Sequence, residues 1–291
     1  MKDFTLDNLT AEAVAAYTTN ASRPRMAHIL GSLIRHLHAF AKEVELTEQE
    51  WFEGIQFLTA TGKMCDTKRQ EFILLSDILG LSMVVDAINH AKGGRGTEST
   101  VLGPFYVEGA PEVDSGVNII KRDIGSETVL VTGTVTDADG TPLAGAMLDV
   151  WQTSTNQLYD VQDPAAPKWN LRAKIKAHDN GEFSFVSEKP VSYPVPTDGP
   201  VGRLLEAGGR HAFRPAHLHF IVTAPNHESV TTHIFVEGDP YLDSDAVFAT
   251  KADLVAAFES CDDEKLAAEY GLKVPFTRVR YDFVLLSAAT A

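Results

Sequence analysis

Arg214-Pro215-Ala216-His217-Leu218-His219-Phe220-Ile221-Val222 holds two imidazoles two residues apart at the head of a run, Leu218 to Val222, that reads as a β-strand. Alternate side chains of a strand share a face, so His217 and His219 point the same way. Neutral imidazole is a common ligand for first-row metals, and two on one face can hold a single ion in cis. Two ligands leave such a site incomplete, and the others have to come from elsewhere in the chain.

Working outward, the flanks carry β-sheet texture. Val129 to Thr136 alternates, Asp139-Gly140 marks a tight turn, and Ala146 to Gln152 reads as the returning strand. Asn180-Gly181 joins Leu171–Ala177 to Glu182–Val186 as a second hairpin, and Arg278 to Leu286 reads as a closing strand. Short strands at this spacing imply an all-β sandwich, interrupted by one late helix expected around Lys251 to Glu259. Upstream the period changes. After Pro24, residues Met26, Ile29, Leu30, Leu33, Ile34, Leu37 and Phe40 recur at three and four, an amphipathic helix whose stripe suits either a partner interface or an internal helical core. Thr47-Glu48-Gln49-Glu50 is a capping box ahead of Trp51, with Gly62 as a stop. Thr67-Lys68-Arg69-Gln70 repeats the signal before one long helix carrying Phe72, Leu75, Leu79, Met83 and Ile88. Gly93-Gly94-Arg95-Gly96 ends the helical texture. The expected organisation is α+β: a helical region over 1–96 and a β-sandwich over 97–291.

A chain of 291 residues with 44% hydrophobic and 22% charged residues can bury a sizeable core. Its formal charge of -15 argues against nucleic-acid or anionic-membrane partners, because nothing neutralises phosphates. Cys65 and Cys261 are too few for a disulfide framework. Neither a signal-like amino terminus at Met1-Lys2-Asp3 nor a spanning apolar run is present, so a cytoplasmic protein that does not cross a membrane is expected. His28, His36 and His38 have no spacing that gathers ligands, and read as helix-surface or interface histidines.

Two loop tyrosines flank the paired histidines in sequence. Tyr159 follows the strand ending at Gln152, and Tyr193 sits in Pro190-Val191-Ser192-Tyr193-Pro194-Val195-Pro196. Taken singly, each suits a structural aromatic with a satisfied hydroxyl. Phenolate is a hard anionic oxygen that needs a strong Lewis acid to form near neutral pH. A His₂Tyr₂ set would neutralise two charges of a trivalent ion, which points to Fe(III) rather than zinc or Fe(II).

Leu158-Tyr159-Asp160, Ser192-Tyr193-Pro194 and Arg214-Pro215-Ala216-His217-Leu218-His219, followed by Gly238-Asp239-Pro240-Tyr241, resemble the intradiol ring-cleavage dioxygenases, the catechol 1,2-dioxygenase family. Trp51-Phe52, Arg69-Gln70-Glu71-Phe72 and Ser76-Asp77-Ile78-Leu79-Gly80 resemble the family's amino-terminal helices, and Gly103-Pro104-Phe105 its first pocket segment. The resemblance implies a non-haem Fe(III) held by Tyr159, Tyr193, His217 and His219, with Tyr193 also taking up substrate protons. Arg214 would stabilise negative charge on the ring. The carried-over pocket wall is Leu74, Asp77, Val101, Leu102, Gly103, Pro104, Phe105, Val195, Pro196 and Val247, mostly apolar as a flat aromatic requires. The implied reaction splits an aromatic diol or triol with O₂ between adjacent hydroxyls.

Thr97 to Phe105, Thr231 to Val236 and Asp243 to Phe248 resemble the branch acting on hydroxyquinol, benzene-1,2,4-triol, to give maleylacetate. The alternative is the catechol or chlorocatechol branch, giving cis,cis-muconates. Asp77 is the informative position, because a carboxylate there would accept a hydrogen bond from a third ring hydroxyl. His233 departs from the glutamine expected in the catechol branch, and is not assigned to the metal. The family further implies a homodimer joined through the amino-terminal helices, with a phospholipid held between them. Two readings from other classes stand beside this one: a metal-free transthyretin-like binding module around Val129 to Val150, and a Ser/His/Asp hydrolase using His178 and Asp179, for which no G-x-S-x-G elbow exists.

Overall fold

The computed structural model describes residues 3–66, 69–90 and 95–288. Met1 and Lys2, Thr67 and Lys68 of the second expected capping box, and Gly93 and Gly94 of the expected boundary lie outside them. Two compact units result, Met1–Ala60 and Thr61–Ala291.

The first unit holds α1 (Leu9–Thr18), α2 (Pro24–Glu43) and most of α3 (Glu48–Lys63). Proline at the first turn of α2 has no N–H to leave unpaired there. α1 and α2 pack together, with Thr10 Oγ1 3.0 Å from His38 Nδ1 and Lys42 Nζ donating to the Leu6 carbonyl at 2.8 Å. The Thr47 capping box forms: Thr47 N donates to Glu50 Oε2 at 2.9 Å, and Glu50 N donates to Thr47 Oγ1 at 3.3 Å. Met26, Ile29, Leu33, Leu37 and Phe40 are exposed along α2.

The second unit opens with α4 (Glu71–Ile78) and α5 (Leu81–His90). They replace the single long helix expected here. Gly80 takes a φ of +74°, which ends α4 in a left-handed turn that a residue with a side chain would resist. Then follow β1 (Glu112–Asp114), β2 (Val117–Asn118), β3 (Thr128–Asp137), β4 (Met147–Trp151), β5 (Arg172–Lys176), β6 (Glu182–Glu188), β7 (Tyr193–Pro194), α6 (Pro200–Ala207), β8 (Phe213–Arg214), β9 (His217–Thr223), β10 (Val230–Val236), β11 (Val255–Ala256), β12 (Glu259–Cys261), α7 (Glu264–Tyr270), β13 (Phe276–Arg280) and β14 (Phe283–Leu285).

The strands form two main sheets, in the orders β1-β5-β4-β9-β10-β11 and β12-β13-β3-β6-β2, with β14 also on β3. The facing layers bury Val129, Val131, Leu148, Val150, Ile175, Phe183, Phe185, Leu218, Phe220, Ile234 and Phe283 in one core, as the expected sandwich requires. The fold class is α+β, with helices ahead of a β-rich catalytic region.

Two strand-level expectations change. Lys251 to Glu259 is not a helix: after a single 3₁₀ turn at Ala252–Leu254, β11 pairs with the edge of β10 and β12 pairs with β13. Backbone groups open on those two strands are satisfied by this pairing, a long-range gain that local apolar spacing does not announce. The nearby helix is α7, where the Asp263 carboxylate accepts from the N–H groups of Lys265 and Leu266. The closing strand is split at Tyr281-Asp282, where Asp282 Oδ1 accepts from Thr134 N and Oγ1 at 2.8 Å each.

Candidate metal centre

In β9 the alternation that sends Leu218 and Phe220 into the core leaves His217 and His219 on the opposite face of the sheet. Tyr159 comes from the loop after β4. Tyr193 opens β7, paired across to Arg214 on β8. All five side chains are buried. Tyr159 OH lies 2.9 Å from Tyr193 OH and 2.9 Å from His219 Nε2, and the two Nε2 atoms are 3.1 Å apart. Donors bound to one ion at about 2 Å stand about 3 Å from one another, so the four atoms are spaced as ligands of a shared metal.

His217 Nδ1 lies 2.7 Å from the Pro215 carbonyl; the N–H donated there leaves Nε2 with its lone pair. Arg214 Nη1 is 3.2 Å from that Nε2. Burial, followed by the Arg214 charge, holds the His217 pKa well below its ordinary value, and burial does the same for His219 and His233. These imidazoles are therefore neutral, the form in which a ring nitrogen can donate to a metal. Burial also pushes the phenols up, Tyr159 well above the ordinary value and Tyr193 above it, so without a cation they stay protonated. A donor set of neutral imidazoles and phenols that ionise only beside strong positive charge fits a trivalent ion. Burial opposes the Arg214 charge, but Asp245 outweighs it: Nε and Nη2 meet the Asp245 carboxylate at 3.1 and 3.3 Å and raise the guanidinium pKa.

His233 stands opposite His219 in the β9–β10 register, and the ligand atoms of His217, His219 and His233 all lie within 4.8 Å. Its Nδ1 bonds to the Thr100 hydroxyl, and its buried Nε2 has no hydrogen-bond partner among the described residues. Sequence spacing does not reveal this third imidazole; the cross-strand register does. Trp151, stacked on His219 at 4.6 Å, and Asp245 were likewise not legible as site residues.

Gly103 has a φ of +75°, and a Cβ there would sit 3.3 Å from His219 Cε1, so the pocket segment runs directly against a metal-side ring. Phe105 stacks on Tyr159 at 4.6 Å. Asp77, Val101, Leu102 and Gly103 line an open cleft of about 580 Å³, while Leu74, Pro104, Phe105 and Pro196 line a second cavity of about 170 Å³. Val195 and Val247 are buried and border neither, although Val247 N donates to Asp245 Oδ1 at 3.2 Å. Asp77 is buried on α4; burial raises its pKa to about 6 against a hydrogen bond from Ser82 that lowers it. His178 and Asp179 are exposed at the β5–β6 turn, so the hydrolase set does not assemble around them.

Comparison with known proteins places these features. A family profile described as the catechol dioxygenase N terminus matches residues 23–97, and one described as dioxygenase matches 101–287. A hydroxyquinol 1,2-dioxygenase of Rhizobium sp. (strain MTP-10005) is 48% identical over 282 residues, covering 96% of this chain and 95% of that protein. A 6-chlorohydroxyquinol 1,2-dioxygenase of Cupriavidus pinatubonensis is 49% identical over 255 residues, covering 88% and 92%. The crystal structure of a hydroxyquinol 1,2-dioxygenase from Pseudomonas putida DLL-E4 superposes with a TM-score of 0.89 at 49% identity, covering 97% of this chain and 99% of that one.

Proposed function

Because the chain belongs to the intradiol ring-cleavage dioxygenase family, we propose that it cleaves hydroxyquinol with O₂ between adjacent hydroxyls to give maleylacetate, using Fe(III) held by Tyr159, Tyr193, His217 and His219. The observation that carries the reading is the convergence of those four buried donors at 2.9–3.1 Å. Bound Fe(III) would supply the Lewis acidity that ionises the phenols and a substrate diol.

The protein's own residues do the rest. Tyr193, hydrogen-bonded to Tyr159 and paired in its strand with Arg214, would be ionised beside the metal and would take up a substrate proton as its phenolate oxygen when the diol binds. Arg214, locked by Asp245, offers a fixed positive charge to the electron-rich ring; being pre-oriented, it does not reorganise as charge develops. Phe105, Pro104 and Leu74 supply apolar walls that exclude water. Asp77, beside the Gly103 segment that touches His219, accepts a hydrogen bond from the third hydroxyl. A site with that buried carboxylate disfavours catechol, which leaves it unpaired. The identities near half with hydroxyquinol-named relatives support this branch over the catechol one.

Residues 1–96 form the dimerisation and linker region in this reading, and 97–291 the catalytic sandwich. The exposed apolar stripe of α2 supports a homodimer through these helices, with a phospholipid between them. No helix among the described residues is long and apolar enough to cross a membrane. The two free cysteines suit the reducing cytoplasm we propose as its location.

The test is steady-state turnover of hydroxyquinol and catechol under air, with product identified by mass. Maleylacetate formation with kcat/KM for hydroxyquinol at least tenfold above that for catechol is expected. Preferential muconate formation would move the protein to the catechol branch.

A further inference from the structure

The β5–β4–β9–β10 register places Arg172 opposite Trp151, Trp151 opposite His219 and His219 opposite His233. Residues directly opposite share a sheet face, so Arg172 stands at the end of a row of planar groups on the face that carries the histidines. Its side chain is almost wholly buried, and its guanidinium carbon lies 5.7 Å from the centroid of the Tyr159 ring. Nε donates to Asp160 Oδ1 at 2.5 Å, and the other Asp160 oxygen accepts from Trp169 N at 3.1 Å. Asp160 directly follows Tyr159 in the chain. Nη1 and Nη2 are buried and have no hydrogen-bond partner among the described residues. Five donors on a fully buried cation, of which one is used, is a costly arrangement for mere packing.

We propose that Arg172 is a positioning residue for the metal centre, holding Tyr159 through Asp160 and placing a permanent positive charge over the ring that binds iron as phenolate. The proposal rests on the reading of Tyr159 as an iron ligand. A cation over an aromatic face within about 6 Å is attracted to its π-electrons, and the attraction grows when the ring becomes anionic. Two effects follow. The phenolate donor orbital is lowered, which sets the energy of tyrosinate-to-iron charge transfer. The ring is also held in its ligating direction, as groups behind metal ligands commonly do.

The experiment compares iron-loaded wild-type protein with R172K, which keeps the charge, and R172Q/D160N, a neutral pair able to keep an amide hydrogen bond. If the amide pair does not fold, R172M/D160L takes its place. The visible charge-transfer maximum and the iron retained after dialysis against a chelator are read. The neutral pair should absorb at longer wavelength and bind iron about tenfold more weakly, with R172K close to wild type in wavelength. A neutral pair with wild-type band position and retention overturns the proposal, as does an R172K band displaced as far as that of the neutral pair. A wild-type protein with bound iron and no charge-transfer band would instead remove the tyrosine-ligand reading, and the proposal with it.

Discussion

Asp77→Asn should make the protein more stable and a poorer hydroxyquinol enzyme. Burial lifts the Asp77 pKa from 3.8 to about 6, even with a Ser82 hydrogen bond and the Arg214 charge pulling it down. A rise of about two units costs about 3 kcal/mol of stability when the carboxyl is ionised. The sign follows from the raised folded pKa: the penalty is absent below pH 3.8, grows as pH rises between the two values, and is complete above about 6. Asparagine has nearly the same shape and no charge to bury. Urea unfolding of both proteins at pH 5 and pH 8 should therefore show D77N ahead at both, by about 3 kcal/mol at pH 8 and about half that at pH 5. The double difference cancels everything the two proteins share. At the same time a charged acceptor becomes a neutral one, so kcat/KM for hydroxyquinol should fall about tenfold while catechol turnover holds or rises. A D77N protein that is less stable than wild type at pH 8, or that keeps its preference for hydroxyquinol, would refute the reasoning that this carboxylate is buried for recognition.

Asp245→Asn leaves the buried Arg214 charge without its bidentate partner, and should lower stability by about 3 kcal/mol or more in urea titration and depress kcat. Gly103→Ala puts a Cβ 3.3 Å from His219 Cε1 at a φ of +75°, so iron content by elemental analysis and kcat should both drop even if the protein remains folded. Tyr159→Phe and Tyr193→Phe each remove one proposed phenolate ligand, and each should weaken the visible absorbance of the iron-loaded protein, with Tyr159→Phe also losing iron on dialysis.

The sandwich and the shared face of His217 and His219 were legible because their signals are local, whereas Tyr159 and Tyr193 stood out through the family resemblance. The His217-Leu218-His219-Phe220 alternation says which side chains face the core, and Asp139-Gly140 and Asn180-Gly181 set the hairpins. Where pairing partners lie far apart in sequence, the reading failed. Leu254, Val255 and Phe258 have apolar spacing that suits a helix, yet open edges on β10 and β13 draw this segment into strands. Gly80 splits one expected helix because its left-handed backbone turn is not visible in the apolar period that runs through it. The site shows the same division. Tyr159 and Tyr193 sit in recognisable strings, whereas Trp151, Arg172 and His233 reach the metal side only through the lateral register of four strands. Asp245 lies in a family-like string, but its role depends on Arg214 reaching it from 31 positions away in the chain.

The most direct measurement of the central claim is an anaerobic visible titration of the purified, iron-assayed protein with hydroxyquinol. One iron per chain, a tyrosinate-to-iron band before addition, its displacement as the triol binds, and bleaching to maleylacetate when O₂ is admitted are the expected results. A protein that binds no iron on reconstitution, or whose iron spectrum is indifferent to hydroxyquinol, would contradict the assignment of Tyr159, Tyr193, His217 and His219 as the catalytic centre.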